Sequence, residues 1–248
     1  NVFYVADPLQ NTIRPTLYFC SIASCTPTSL YNSGLLGGFP GGWTRSGDTA
    51  FWAIYKNLDF STCTGPGACS GTATSYNAGI TSQISGPTPM VADASGFYFV
   101  NPTTTALVHC PATGACSAPD TLLASTSGVS GLAVAGTTLY VLHSGQEGGI
   151  PSGSIDTCPT SGSCTPSSFI TKQPYPTLIT ADSSGVYWFD FDPPLGNGDP
   201  NQIVTCPLTG CGGGPRSLAT KQSGTTLMRT DASFVYWATG SQILRVAK

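Results

Sequence analysis

The chain has 248 residues, of which only 8% are charged, and its formal net charge is −3. Its 30 glycines and 20 prolines disfavour helices. The slightly acidic balance gives phosphate-backbone binding little support, which argues against nucleic acid as a partner. No run of about 18 apolar residues is present, so we predict no transmembrane segment.

Five close cysteine pairs recur along the chain at a nearly constant interval. Their first members lie 43, 47, 48 and 48 residues apart. A period of about 40 to 50 residues with strand-like patterns is typical of a β-propeller. We therefore predict an all-β fold, with residues 1–248 forming a single propeller domain. The pairs are Cys20 with Cys25, Cys63 with Cys69, Cys110 with Cys116, Cys158 with Cys164, and Cys206 with Cys211.

The repeat predicts four-stranded antiparallel blades, most clearly in TLITADSSGVYWF followed by QIVTC and RSLAT. Four units are complete, the first lacks its first strand and the last stops after its third, which indicates six blades, with five as the alternative. Asn1 opens directly into a strand, as expected of a mature chain, and upstream residues are one hypothesis for the missing strands. The approximate units are 1–34, 35–82, 83–127, 128–174, 175–222 and 223–248.

Acidic and aromatic residues repeat with the units. The Asp residues fall at the turn between strands one and two, where a short carboxylate can accept hydrogen bonds from backbone amides. One unit has Gly136 there instead. The aromatic residues alternate along the second strand, so we expect them to pack between blades. The repeated positions are Asp48, Asp93, Asp182 and Asp231, then Trp52, Tyr98, Tyr187, Trp188, Tyr236 and Trp237.

Each cysteine pair encloses four or five residues between two strand segments. A hairpin of that size brings the flanking residues opposite one another, so we predict one disulfide within most blades and an oxidising compartment. Zinc is the alternative, but its ligands would have to converge, and only His109 and His143 could add to them. His109 directly precedes a paired cysteine, where we predict a structural role.

Long loops between strands two and three should share one rim of the propeller, which we predict to be the binding face. The loop after YVLH places His143 near Glu147. The segment GLLGGFPGGW offers Phe39 and Trp43, which could stack on a sugar. The predicted ligand-binding residues are Phe39, Trp43, His143, Glu147, Asp190 and Asp192.

The richest loop, FDFDPPLGNGDPNQ, carries clustered oxygen donors that could hold Ca²⁺. Turn formation is the other interpretation of these residues, and no cofactor is required by the sequence. Paired carboxylates could alternatively serve a glycosidase, but the pattern is too loose to assign a catalytic residue. The candidate calcium ligands are Asp190, Asp192, Asn197 and Asp199.

The combination of D-x-S-x-V-Y-W with C-P-x-x-G-C resembles the repeated extracellular propellers of myxobacteria and, more distantly, the YWTD propellers of lipoprotein receptors. The resemblance implies a bacterial protein that is secreted or attached to the cell surface, and it carries over no catalytic residue. We expect a lectin-like or structural binding module that engages carbohydrate or an extracellular protein through its loop rim. The alternatives are a secreted hydrolase or lyase that uses acidic loop residues, and a protomer of an extracellular assembly.

Overall fold

A computed structural model describes the chain in two parts. Between residues 2 and 77 it describes the strands, mostly as backbone, and a few neighbouring residues. From residue 88 to 248 it is nearly continuous, and the residues left out are 113–115, 117, 127, 148–149, 192–200 and 241. The chain divides into two compact units, 1–124 and 125–248, which are described separately.

The described residues of the first unit form three antiparallel sheets. They have the orders β1-β2-β3, β4-β5-β6-β7 and β11-β10-β9-β8, so each strand pairs with its neighbour in sequence. The strands are β1 (Val2–Ala6), β2 (Thr16–Ser21), β3 (Ser24–Asn32), β4 (Pro40–Ser46), β5 (Thr49–Ile54), β6 (Asp59–Thr64), β7 (Thr74–Asn77), β8 (Met90–Ala92), β9 (Gly96–Val100), β10 (Leu107–Pro111) and β11 (Asp120–Leu123).

The second unit repeats this plan. Its sheets have the orders β12-β13-β16-β17, β18-β19-β20-β21 and β22-β23-β24, and β14 and β15 form a small hairpin inserted between β13 and β16. The strands are β12 (Val129–Ala135), β13 (Thr138–His143), β14 (Gln146–Glu147), β15 (Ile150–Pro151), β16 (Gly153–Pro159), β17 (Ser167–Gln173), β18 (Pro176–Asp182), β19 (Gly185–Asp190), β20 (Gln202–Cys206), β21 (Arg216–Ala219), β22 (Leu227–Thr230), β23 (Phe234–Ala238) and β24 (Ile243–Ala247).

The predicted all-β class and the four-stranded antiparallel sheets are confirmed. Four of the described sheets have four strands each, whereas a complete six-bladed propeller would have six such sheets. The first and last sheets have three strands each, as the incomplete end units predicted. The number of blades and the boundaries of the units remain predictions.

The repeated Asp residues cap turns, as predicted. Asp93, Asp182 and Asp231 each accept a hydrogen bond, 2.8 Å long, from the backbone N–H two residues later. Gly136, which replaces the Asp in one unit, has a φ of +57°, a left-handed value that glycine adopts without strain. Asp48 lies outside the described residues.

The predicted packing of aromatics between sheets is also confirmed in the second unit. Trp188 is fully buried in a cluster with residues of β13 and β16, whereas its neighbour Tyr187 packs on the other face with residues of β22 and β23. Successive side chains of a strand point to opposite faces, so one sheet supplies apolar surface to both of its neighbours. Burial of these rings is therefore the main force that joins the sheets.

Three of the five predicted disulfides are present among the described residues. They join Cys110 to Cys116, Cys158 to Cys164 and Cys206 to Cys211, with Cα atoms 5.3 to 5.5 Å apart. Each bridge closes the hairpin between the third and fourth strands of one sheet.

The other two predicted disulfides are not among the bridges that the structure describes. Cys20 lies on β2 and Cys25 lies on β3, but the structure describes only the backbone of these two residues. Cys63 lies on β6 with its side chain likewise not described, and Cys69 lies outside the described residues. The bridge from Cys20 to Cys25 and the bridge from Cys63 to Cys69 therefore stay predictions.

Replacement of both Cys158 and Cys164 by alanine is expected to lower the free energy of unfolding by about 2 kcal/mol. A loop this short loses little entropy when it is closed in the unfolded chain, so the effect stays at the low end of the usual range. Urea denaturation of the oxidised protein and of the double variant measures the difference. Ser161→Ala in the same exposed hairpin is the control, and equal stability of wild type and the double variant would contradict a stabilising bridge.

Candidate functional site

The candidate site lies at one end of two adjacent sheets of the second unit. Here β13 ends at His143 and β19 ends at Asp190, and in the sequence about ten residues separate each of them from the next strand of its own sheet. Ser144 donates a hydrogen bond to the carbonyl of Pro176, and Pro176 lies opposite Asp190 in the ladder. These contacts place His143 and Asp190 at the same end of neighbouring sheets. We call His143, Asp190, Tyr175 and Phe191 together the rim cluster.

Asp190 is the most perturbed carboxyl group among the described residues. Its side chain is buried, with 2% exposed, and the Nε1–H of Trp188 donates a hydrogen bond to its Oδ1 over 3.1 Å. Burial raises the pKa of Asp190 to about 7, and the hydrogen bond from Trp188 opposes this shift. The group therefore changes charge close to neutral pH, which no ordinary aspartate does.

The tryptophans of neighbouring sheets donate to different partners, and Asp190 takes the place that a glutamine has in the last sheet. In the last sheet, Trp237 donates its Nε1–H to Oε1 of Gln222 over 3.0 Å. Gln173, the last residue of β17, holds the matching position before the sheet of β18 to β21, and its Nε2 donates to a carbonyl two residues earlier, as that of Gln222 does. Trp188 donates to Asp190 instead, and Oε1 of Gln173 is buried without a partner among the described residues.

His143 has Asp156 as an acidic neighbour, and the predicted proximity of Glu147 is not tested. Its Nε2 lies 3.5 Å from Oδ2 of Asp156 on β16, and about a quarter of each side chain is exposed. The side chain of Glu147, the predicted neighbour, lies outside the described residues. His143 is thus held against the sheet at the entrance to the hairpin of β14 and β15.

Two aromatic residues of the rim cluster were missed by the sequence analysis. Tyr175 and Phe191 form an edge-to-face pair with ring centroids 6.3 Å apart, and the backbone N–H of Phe191 donates to the Tyr175 carbonyl. Phe191 is 39% exposed, which makes it one of three exposed large apolar side chains among the described residues. The available signal was a phenylalanine between two aspartates directly after a buried strand.

The remaining predicted site residues are not tested by the described structure. Phe39, Asp192, Asn197 and Asp199 lie outside the described residues. Trp43 belongs to β4, but its side chain is not described. Within the part of the chain that is described, no three His, Cys, Asp or Glu side chains lie close enough to hold a metal ion. The calcium site therefore stays a prediction.

Comparisons of sequence and of structure gave different results. No protein-family model matches the chain, and no curated protein does. Among solved structures, a chain of the nidogen/laminin complex aligns with a TM-score of 0.65 at 11% identity, over 94% of this chain and 86% of that one. The computationally designed Ika8 protein aligns with a TM-score of 0.57 at 10% identity, over 99% and 71%. YCF48 bound to D1 peptide aligns with a TM-score of 0.57 at 9% identity, over 95% and 75%.

At these identities the likeness shows the fold alone. The antiparallel sheets and the likeness over most of each chain give an all-β fold of the propeller type. No helix in the described part of the chain could cross a membrane.

Proposed function

We propose that this chain is a secreted, six-bladed propeller that binds an extracellular protein through the rim cluster. The observation that carries the proposal is the aromatic pair of Tyr175 and Phe191, in which the Phe191 ring is exposed. Aromatic side chains anchored by a rigid sheet are typical centres of protein interfaces. Because the Phe191 ring already contacts the Tyr175 ring and its main chain is held by a hydrogen bond, the ring loses little freedom when a partner covers it.

Two of the structural neighbours support a protein ligand rather than a sugar. One was solved as a nidogen/laminin complex and the other with the D1 peptide bound. The three disulfides support an oxidising compartment, hence a secreted or surface location. Carbohydrate binding, the calcium site and an extracellular assembly remain alternatives, and the glycosidase-like use of acidic loop residues has no described geometry behind it.

Phe191→Ala is expected to weaken binding of peptides selected by the wild-type protein from a random-peptide display library by roughly 10- to 100-fold, as for the centre of an interface. Titration by calorimetry or interferometry measures the change. Phe234→Ala is the matched control, because Phe234 is an aromatic residue at the opposite end of a second strand. Equal losses in both variants, or no loss in either, would contradict binding at the rim cluster.

A glycan array, read with and without a chelator, separates the alternatives. If the protein binds glycans on the array and a chelator abolishes this binding, the result would favour the sugar and calcium hypotheses over a protein ligand. Sedimentation velocity of the purified chain tests the assembly hypothesis independently.

A further inference from the structure

A row of side chains crosses the sheet formed by β8 to β11. In the ladder His109 is directly opposite Tyr98 on one side and Asp120 on the other, so all three lie on the same face. The imidazole of His109 packs on the Tyr98 ring, with centroids 4.7 Å apart. Tyr98 is fully buried, and this contact holds the imidazole in place.

The row ends beside an exposed serine in the turn between β8 and β9. Oγ of Ser95 lies 3.3 Å from Nε2 of His109, and Nδ1 of His109 lies 3.7 Å from Oδ2 of Asp120. The side chains of His109 and Asp120 are 15% and 81% exposed. A serine, an imidazole and a carboxylate thus follow one another in the order that nucleophilic catalysis requires.

Comparison of the repeats shows that the histidine and the aspartate are departures from a common pattern. His109 directly precedes the first cysteine of its hairpin, and three sister sheets carry threonine there. The residue opposite it on the fourth strand is Asp120, whereas none of these three sisters has an acidic residue at that position. The sister pairs are Thr62 with Thr74, Thr157 with Ser167, and Thr205 with Arg216.

The serine, by contrast, belongs to the shared turn. Oγ of Ser184 donates to its capping aspartate over 2.6 Å and lies 2.8 Å from the Tyr187 hydroxyl. Ser95 makes the same two contacts, with Asp93 at 2.6 Å and Tyr98 at 3.0 Å. The neighbouring imidazole therefore distinguishes Ser95 from Ser184. In the sheet that follows the Ser184 turn, Thr205 occupies the position opposite Tyr187 that His109 occupies opposite Tyr98.

We propose that Ser95 and His109, positioned by Asp120, hydrolyse accessible carboxylic esters. This activity goes beyond the binding function proposed above and uses residues of the first compact unit, whereas the rim cluster belongs to the second. Asp120 favours the tautomer with a proton on Nδ1, which leaves the Nε2 lone pair facing Ser95. The distances are longer than those of a working triad, as is common before a substrate draws the groups together.

The chemistry balances with water as the co-substrate. Oγ of Ser95 attacks the ester carbonyl carbon while its proton passes to Nε2 of His109. Collapse of the tetrahedral intermediate breaks the bond to the alcohol, which leaves with that proton. Water then loses a proton to His109 and attacks the acyl carbonyl, and release of the acid returns the proton to Ser95 Oγ. Asp93 is a second acceptor for the serine proton at rest, and it holds the hydroxyl beside the imidazole.

The sister turn provides an internal control for the test. The full-length chain is treated with a fluorophosphonate probe, and the labelling rates of Ser95, Ser184 and Ser233 are compared by peptide mass spectrometry. We expect Ser95 to be labelled roughly 100-fold faster than the other two, the usual scale of general-base assistance. Hydrolysis of p-nitrophenyl acetate should fall by a similar factor in Ser95→Ala and be unchanged in Ser184→Ala.

His109→Thr is the sharpest variant, because three sister sheets carry threonine there, and the thermal midpoint should change little. Its Ser95 labelling should fall to the rate of Ser184. Asp120→Asn, at an exposed position, should lower kcat roughly 10-fold with KM unchanged, as expected of a positioning residue. Absence of labelling, equal labelling of the three serines, or Ser95 labelling that keeps its wild-type rate in His109→Thr or in Asp120→Asn would each overturn the proposal.

Discussion

Asp190→Asn is expected to raise the free energy of unfolding by roughly 4 kcal/mol at pH 8 and to change it little at pH 4. Burial raises the pKa of Asp190 from 3.8 to about 7, so the folded protein holds a proton that the unfolded chain has already released between these values. Wild-type stability should therefore fall as the pH rises from about 4 to about 7. Asparagine copies the protonated acid in shape and removes this dependence.

Urea denaturation of both proteins at several pH values checks this expectation. Asp231→Asn is a control of opposite sign. Hydrogen bonds from the Ser233 N–H, the Tyr236 hydroxyl and the Phe234 N–H lower the pKa of Asp231, so this variant should be less stable than wild type above about pH 4, and that loss should shrink as the pH falls. Parallel stability curves for wild type and Asp190→Asn would show that the carboxyl group is solvated in the folded state.

Trp188→Ala is expected to lower the free energy of unfolding by roughly 3 to 5 kcal/mol, the usual range for loss of a large buried aromatic side chain. Trp188 has no exposed surface, and its ring joins the sheet of β18 to β21 with that of β12, β13, β16 and β17. The truncation also removes the N–H that Asp190 accepts. The ring and the hydrogen bond are lost at the same contact between two sheets. Because the sheets hold the surrounding side chains in place, we expect little of the resulting cavity to collapse.

Trp188→Phe separates the two contributions. It keeps most of the buried ring but loses the donor, so its loss at pH 4 should be smaller than that of Trp188→Ala. Its stability should also fall more steeply with rising pH, because the hydrogen bond that favours ionised Asp190 is gone. Differential scanning calorimetry and urea denaturation measure both quantities. A loss below about 1 kcal/mol for Trp188→Ala would contradict the assigned core position.

The repeat made much of the fold predictable. The alternating aromatics of β19, the capping Asp182 and the bridge from Cys206 to Cys211 follow from spacing and from side-chain chemistry that act within one sheet. The candidate site was harder to predict from the sequence, because it depends on how neighbouring sheets pack against each other. Asp190 was predicted to lie in a ligand-binding loop, but the structure places it buried at the end of β19.

The aromatic pair shows the same limit. Tyr175 precedes one strand and Phe191 follows the next, and only the antiparallel pairing of β18 with β19 brings them together. Likewise, His109 was predicted to be structural from its place before a cysteine. Its position between Ser95 and Asp120 depends on the register of three strands, which the sequence does not specify.

Each described disulfide lies within a single hairpin, and this affects how the chain oxidises as it folds. Three pairs drawn from six thiols allow about 15 connectivities, yet the partners here stand only five or six positions apart in the sequence. Short loops close far more readily than long ones, so each thiol meets its correct partner first. Correct oxidation can therefore proceed hairpin by hairpin as the polypeptide emerges, with little need for an isomerase to repair mispairing.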